Sequence, residues 1–303
     1  MLRRTYWISW MAMFAIHGLI CPATARSEPV SVHPKRIVSL APSITEILFA
    51  LDAGERVVGV TRYCDYPPRA ASIVKVGGYV DPNYEQIVAL RPDLVVLLSS
   101  HRDAKTELHK MNLETLTVSH ETISDIHEAI RVLGEKCGQS EESQVLLDHF
   151  EKRTEAVQGA VAGMPRPRVL VCIGRDTEQG QLTGMYMAGR HNFYDEVVEL
   201  AGGVNAYKDE KVAYPQLSAE GVLQLDPDVI VDLVSRIDPG EKTREEIARQ
   251  WGQLPVLSAV RKHRVHAIVG DHALRPGPRY IAFLEELARL LHPNAFGEGG
   301  SDE

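Results

Sequence analysis

Ten tyrosines and twelve histidines are the side chains of this 303-residue sequence that invite a chemical reading. Tyr63 and Tyr66 precede Pro67-Pro68, Tyr79 follows Gly77-Gly78, Tyr186 follows Gly184, and Tyr214 precedes Pro215. Glycine and proline punctuate turns, so these rings fall in segments that turn or follow strands, where open α/β sheets bind ligands. Core packing is the ordinary role of any one tyrosine. Several in Gly/Pro-flanked loops of both halves of the chain point instead to a broad aromatic pocket whose hydroxyls can hydrogen-bond. The histidines offer less. His263 and His266 lie at or in an expected strand, where residues three apart point to opposite faces and cannot share a metal. No nucleophile elbow, phosphate loop, dinucleotide glycine fingerprint or paired-histidine zinc helix occurs in a convincing context. Gly77-Gly78 and Gly202-Gly203 read as the ends of elements. The expectation is a protein that binds and does not catalyse, with no catalytic residues, cofactor or resident metal. Two other readings stay open on the residues alone. A secreted hydrolase with paired carboxylates depends on separations a sequence does not give, and a zinc or manganese receptor would need three or four convergent His, Asp or Glu ligands, for which no cluster stands out.

The elements that must position these residues alternate. Arg36–Leu40 is a buried strand, and Ser43-Ile44-Thr45-Glu46 reads as a capping box opening a helix. Val57–Val60, a short segment near Ile73–Val76, the continuous apolar run Leu94–Leu98 and Leu113–Ser119 follow as strands. Repeated βα units imply a mainly parallel sheet with helices packed on it. Glu85–Val96 is answered by Glu220–Val231 at a constant offset of 135 residues, with Glu, Leu, Pro and Asp shared. Each copy is a helix that stops before a Pro-Asp turn and leads into a buried strand. Such joins are common, but twelve aligned positions favour duplication. Between the copies, Ser140–Val161 carries Val145, Leu146, Phe150 and Val157 among many charges and has no glycine before Gly159, which predicts one long amphipathic helix. Strands resume at Arg168–Ile173, Val229–Leu233 and Val265–Val269. The predicted fold is α/β, with two Rossmann-like lobes (36–137 and 165–295) joined by a helical connector (138–164) that permits small lobe movements.

Arg3 and Arg4 precede a mostly apolar run from Trp7 to Ile20 and the small-residue site Ala23-Thr24-Ala25. This is the pattern of a signal peptide over residues 1–25. It is short for a membrane span and interrupted by His17 and Gly18. Cys21 raises a lipoprotein alternative, against which stands the lack of a small residue just before it. Cleavage removes two arginines and no acid, which takes the formal charge from −8 to −10. Nucleic acid and anionic membranes are poor partners for such a chain. Cys64, Cys137 and Cys172 would remain, an odd number with no C-x-x-C spacing, so no disulfide framework is expected, although one bridge is allowed.

The sequence resembles the class III, two-lobed substrate-binding proteins of ABC importers for vitamin B12 (cobalamin), ferric siderophores and haem, with the vitamin B12 branch the nearest likeness. The resemblance rests on Arg36–Pro42 with Thr45-Glu46, Tyr63–Pro68, Glu85–Asp93, Leu200–Asn205, Tyr214–Glu220, and Asp271–Arg275 before Pro278-Arg279. It implies a periplasmic monomer that holds a corrinoid as cargo, not as a cofactor, and passes it to a two-fold permease with its ATPase subunits. Tyr63 and Tyr79 would face the cleft from the first lobe. Tyr186, Tyr214 and the loop of Asp271, His272, Ala273, Leu274 and Arg275 would face it from the second, with Asp271 accepting and Arg275 donating hydrogen bonds. Relatives place tryptophan or phenylalanine at some of these positions, so a wall of tyrosines leaves room for another corrinoid, a haem or a siderophore. His272 and Cys64 adjoin the expected pocket, but no protein ligand to the metal is expected. Glu85 and Glu220 each follow a capping candidate, Asn83 and Ser218, by two residues. An acid in a first helical turn is favoured by the macrodipole alone, while the resemblance implies that the pair docks onto permease arginines.

Overall fold

The computed structural model describes residues 33–176, 182–235 and 244–296; the expected signal peptide of residues 1–25, with Cys21, lies outside them. Short runs of apolar residues, buried on both faces, build the first sheet. Strands β1 (Ile37–Ser39), β2 (Val57–Val60), β3 (Leu94–Leu98) and β4 (Thr115–Val118) lie in the order β2-β1-β3-β4, all parallel. Along β3 successive side chains enter opposite clusters. Leu94, Val96 and Leu98 pack with Ile44, Leu48, Ile130 and Leu133, whereas Val95 and Leu97 pack with Ile87 and Leu108. Helices α1 (Pro42–Ala50) and α4 (Ile123–Cys137) therefore cover one face, and α2 (Tyr84–Ala89) and α3 (Arg102–Lys110) the other.

Two local expectations are corrected. The segment near Ile73–Val76 is only an isolated bridge on β2, with Val60 N donating to Val74 O at 2.9 Å and Val76 N to Val60 O at 2.8 Å. No capping box forms at Ser43–Glu46. The helix begins at Pro42 after Ala41, with no side-chain cap, because proline at the first position has no N–H to satisfy and a φ already set for a helix. The polar side chains are thereby free for tertiary bonds: Ser43 Oγ to His120 Nδ1 at 3.1 Å, and Glu46 to Arg279.

After α5 (Ser140–Val161) comes the second sheet, with β5 (Arg168–Asp176), β6 (Thr183–Met187), β7 (Val204–Asn205), β8 (Gln216–Leu217), β9 (Val229–Val234) and β10 (Val265–Val269). Their order is β10-β9-β5-β6-β8, with β7 paired to β5. The pairings of β5 with β7 and β9, and of β9 with β10, are parallel; β6 runs antiparallel between β5 and β8. Helices α6 (Phe193–Leu200), α7 (Ala219–Leu225), α8 (Arg244–Trp251), α9 (Ser258–Arg261), α10 (Asp271–Leu274) and α11 (Tyr280–Leu291) complete this half. The long helix α5 spans the residues expected, but its buried stripe is Leu147, Phe150, Val157 and Val161, while Val145 is 64% exposed. One apolar cluster runs from Ile37 and Leu94 through Phe150 to Val169, Phe193 and Phe283, so the helices between the sheets give both halves a shared core.

The repeat is structural as well as sequential. Asn83 caps α2 by accepting from Gln86 N, and Ser218 caps α7 by accepting from Gly221 N. Pro92 and Pro227 cannot extend their helices, and the residues before them, Arg91 (φ 46°) and Asp226 (φ 38°), turn left-handed. The carbonyls left without helical partners are met by an arginine from the start of the neighbouring strand. Arg36 donates to Leu90 O at 2.6 Å, and Arg168 to Leu225 O at 2.6 Å. Asp93 and Asp228 then fix those strands by accepting from Arg36 N (2.9 Å) and Arg168 N (3.0 Å).

Candidate ligand-binding cleft

The strand ends position the cleft. Ala41–Ser43 follow β1, Tyr63 follows β2, and His120 and Glu121 follow β4; from the second sheet come Ile173 on β5 and, beyond β10, Leu274 at the end of α10 with Arg275 and Pro276. With Tyr79, Tyr194 and Tyr214 they line an open cavity of about 470 Å³. Tyr79 is held there by a tight loop in which Gly77 has φ 99° and a Cβ would lie 2.5 Å from Asp81 O. Its hydroxyl is 3.0 Å from Ser100 Oγ and its ring stands edge-on to His101 at 4.4 Å. Tyr79 and Tyr214 are themselves 135 residues apart, each four residues before its helix cap.

Of the residues singled out from sequence, Tyr63, Tyr79, Tyr214, Leu274 and Arg275 converge on this cavity. Tyr186 does not line it. It lies inside β6, opposite Gly174 and Gln216, and is 48% exposed. Asp271 is bonded to Ser235 Oγ at 2.8 Å and to Arg275 at 3.0 Å, His272 to Glu286 at 3.0 Å, and Ala273 is fully buried. Cys64 is also buried, against Thr45 and Thr61; with Cys137 and Cys172 it is a free thiol. Sequence reasoning missed Tyr194, His120 and Glu121. Tyr194 sits in the first turn of α6, whose cap Asn192 accepts from Tyr194 N at 2.9 Å. A polar residue opening a helix after Gly189 was the available signal.

Two arginines tie the halves together. Arg275 joins Asp65 of the first half to Asp271 of the second. Burial pushes the Asp65 carboxyl up, but the hydrogen bonds and charge of Arg275 outweigh it and leave it below the usual value. Arg279 grips Glu46 with two bonds, 2.8 and 2.6 Å, and its guanidinium lies 4.2 Å from the centre of the Tyr66 ring. Burial holds Glu46 above its ordinary value despite this partner. His120 bonds both Ser43 and the Pro276 backbone across the cleft, and burial lowers its pKa from 6.5, so it is neutral at pH 7. Burial and then the Glu121 charge push Tyr214 up to about 12; burial pushes Tyr194 up as well. Among the described residues no group of three or more His, Cys, Asp or Glu could hold a metal ion.

Two α/β halves that meet in an aromatic cleft, with the wall fixed by ion pairs, define a protein that encloses a ligand. The chain belongs to the periplasmic binding protein family, which matches residues 37–269. It is similar to an uncharacterised ABC transporter substrate-binding lipoprotein, YvrC, of Bacillus subtilis, 30% identical over 91% of this chain and 86% of that one. It is also similar to the vitamin B12-binding protein of Vibrio cholerae, 31% identical over 85% of this chain and 89% of that one. Among solved structures, the periplasmic haem-binding protein RhuT of Roseiflexus superposes with a TM-score of 0.72 at 27% identity, over 86% of this chain and 99% of that one. The protein is thus an ABC-transporter substrate-binding protein and not an enzyme, which sets aside the hydrolase reading.

Proposed function

We propose that this protein captures a corrinoid, vitamin B12 or a close derivative, in the periplasm and delivers it to a two-fold ABC permease, with the signal peptide of residues 1–25 directing export. The observation that carries this reading is the charge state of the cleft. Among the described lining residues the one guanidinium or ammonium group is Arg275, and it is already shared by Asp65 and Asp271. Haem presents two propionates and many ferric siderophores are anionic, so burying either would call for uncommitted cations. A corrin ring is fringed with neutral amides. Tyrosine faces can cover such a macrocycle while their hydroxyls, protonated at neutral pH in any case and raised still further by burial at Tyr194 and Tyr214, meet the amides. Similarity to the Vibrio cholerae vitamin B12-binding protein supports the same ligand.

The delivery step rests on Glu85 and Glu220. Both are exposed in first turns of capped, repeat-related helices, and they suit arginines presented twice by a two-fold partner. Titration with cyanocobalamin tests the ligand: tight one-to-one binding is expected. No binding at high micromolar concentration, beside tight binding of haem or a ferric siderophore, would replace the corrinoid by that ligand.

A further inference from the structure

Arg275 leaves a second feature of the cleft unexplained. Asp65 and Asp271 share one guanidinium, so this triad carries a surplus negative charge. Glu46 and Arg279 cancel, and His120 is neutral at pH 7. To this the cavity adds Glu121, an exposed carboxylate with no side-chain hydrogen bond or ion pair among the described residues. Its backbone is nevertheless tightly held. Glu121 O accepts from Phe193 N of the second half at 2.7 Å. The preceding His120 is bonded to Ser43, and the following Thr122 caps α4 by accepting from Asp125 N at 3.0 Å. A free charge on a fixed backbone, at the seam between the halves and facing the cavity, is placed to act on what enters and not on the fold.

We infer that Glu121 is the charge-selecting residue of this cleft: its carboxylate accepts hydrogen bonds from N–H groups on the rim of a neutral macrocycle and repels a macrocycle that carries carboxylates. The geometry supplies both effects. An ionised acceptor makes the stronger kind of hydrogen bond to an amide. Like charges brought together in a partly desolvated site are penalised more heavily than in open water. The surplus acid of the Asp65–Arg275–Asp271 triad acts in the same direction.

This inference rests on the corrinoid reading for its preferred ligand, and the test keeps the two separable. Cyanocobalamin and its monocarboxylic acid, in which one side-chain amide has become a carboxylate, are titrated against the wild type, Glu121→Gln and Glu121→Lys at pH 7. The wild type should prefer the amide by about tenfold or more. Glu121→Gln should shrink that preference to within about threefold, and Glu121→Lys should reverse it, an inversion that misfolding cannot imitate. An unchanged preference in both variants, or equal binding of both ligands by the wild type, overturns the inference. If the wild type binds neither corrinoid, the corrinoid reading fails alone, and the same comparison passes to haem and its dimethyl ester. Selection of the ester, lost in Glu121→Gln, then sustains the role of Glu121; equal binding, or binding of neither, overturns it.

Discussion

Removing Arg279 should show how firmly the two halves are tied. The Glu46 side chain is 1% exposed and accepts both of its bonds, 2.8 and 2.6 Å, from that single guanidinium. Arg279→Ala leaves the carboxylate buried without its partner, a change that costs about 3–5 kcal/mol; Arg279 is 22% exposed, so water reaching the site places the value near 3 kcal/mol. Loss of the Tyr66 ring contact adds about 0.5–1 kcal/mol, since that ring is largely exposed. Replacing both partners by apolar residues, Glu46→Leu with Arg279→Met, should restore stability to within about 1 kcal/mol, because no charge is then stranded. Urea unfolding of the two singles and the double gives the coupling through a double-mutant cycle. Acid adds a second readout. Burial already raises Glu46 above its ordinary 4.5 with Arg279 present, and raises it further without that partner. A carboxyl with a raised folded pKa weakens the fold as pH climbs from its unfolded value through its folded one. The deficit of Arg279→Ala should therefore be greatest above the folded pKa of Glu46 in the variant and shrink as pH falls toward 4.5. Single variants that each cost under about 1 kcal/mol, or simple additivity in the double, would refute the stranded-charge reasoning.

Tyr63→Ala and Tyr214→Ala should each weaken ligand binding by about 0.5–1.5 kcal/mol or more through the lost ring contact; unchanged affinity by calorimetry in both would remove the aromatic wall. Glu85→Ala with Glu220→Ala should preserve ligand affinity while reducing capture by the permease in reconstituted vesicles, and normal transport by the double variant would dismiss docking. The Arg153–Glu285 pair joins α5 to α11 through two bonds of 2.8 Å, and hydrogen bonding to Arg153 holds the Glu285 carboxyl below its ordinary 4.5. Its stabilisation is present above the unfolded value and lost as pH falls through the folded one. Glu285→Gln should thus cost about 0.5–1 kcal/mol at pH 7 after solvent screening, and nothing in acid below the folded value; a pH-independent difference in urea midpoint would contradict this.

What could be read in the sequence is what depends on neighbours along the chain. Leu94–Leu98 announced a doubly covered strand by composition, and Ser140–Val161 announced its helix by charge and the absence of breakers. The antiparallel strand β6 did not announce itself, because Thr183-Gly184-Met185-Tyr186-Met187 lacks a β-branched apolar alternation; Tyr186, read as a loop residue, is part of it. Tyr194 was hidden for the converse reason, since a ring inside a helical pattern resembles core. The ion pairs were beyond reach. Asp65 and Arg275 are 210 residues apart, and Glu46 and Arg279 are 233 apart. Asp271 and Arg275, expected from the sequence to accept from and donate to a ligand, also bond to each other, and Arg275 to Asp65.

The duplication separates two kinds of site residue. In each half one unit places a tyrosine four residues before a helix cap and a glutamate two residues after it: Tyr79, Asn83 and Glu85, then Tyr214, Ser218 and Glu220. The cap fixes the start of the helix, so one local structure sets both the ring in the cleft and the carboxylate outside. Any change that shifted the helix would disturb both together, which links the wall of the cleft to the face that a two-fold partner would meet. Tyr63, His120, Glu121, Tyr194 and the Leu274–Pro276 segment stand outside these matched units. With Ala41–Ser43 and Ile173, which also lie outside the matched units, they make the two sides of the cavity unlike, and an asymmetric ligand needs unlike sides. Selection among neutral and anionic macrocycles must therefore be sought at these unmatched positions, while changes at the matched pairs should act on ligands and permeases of this family more uniformly.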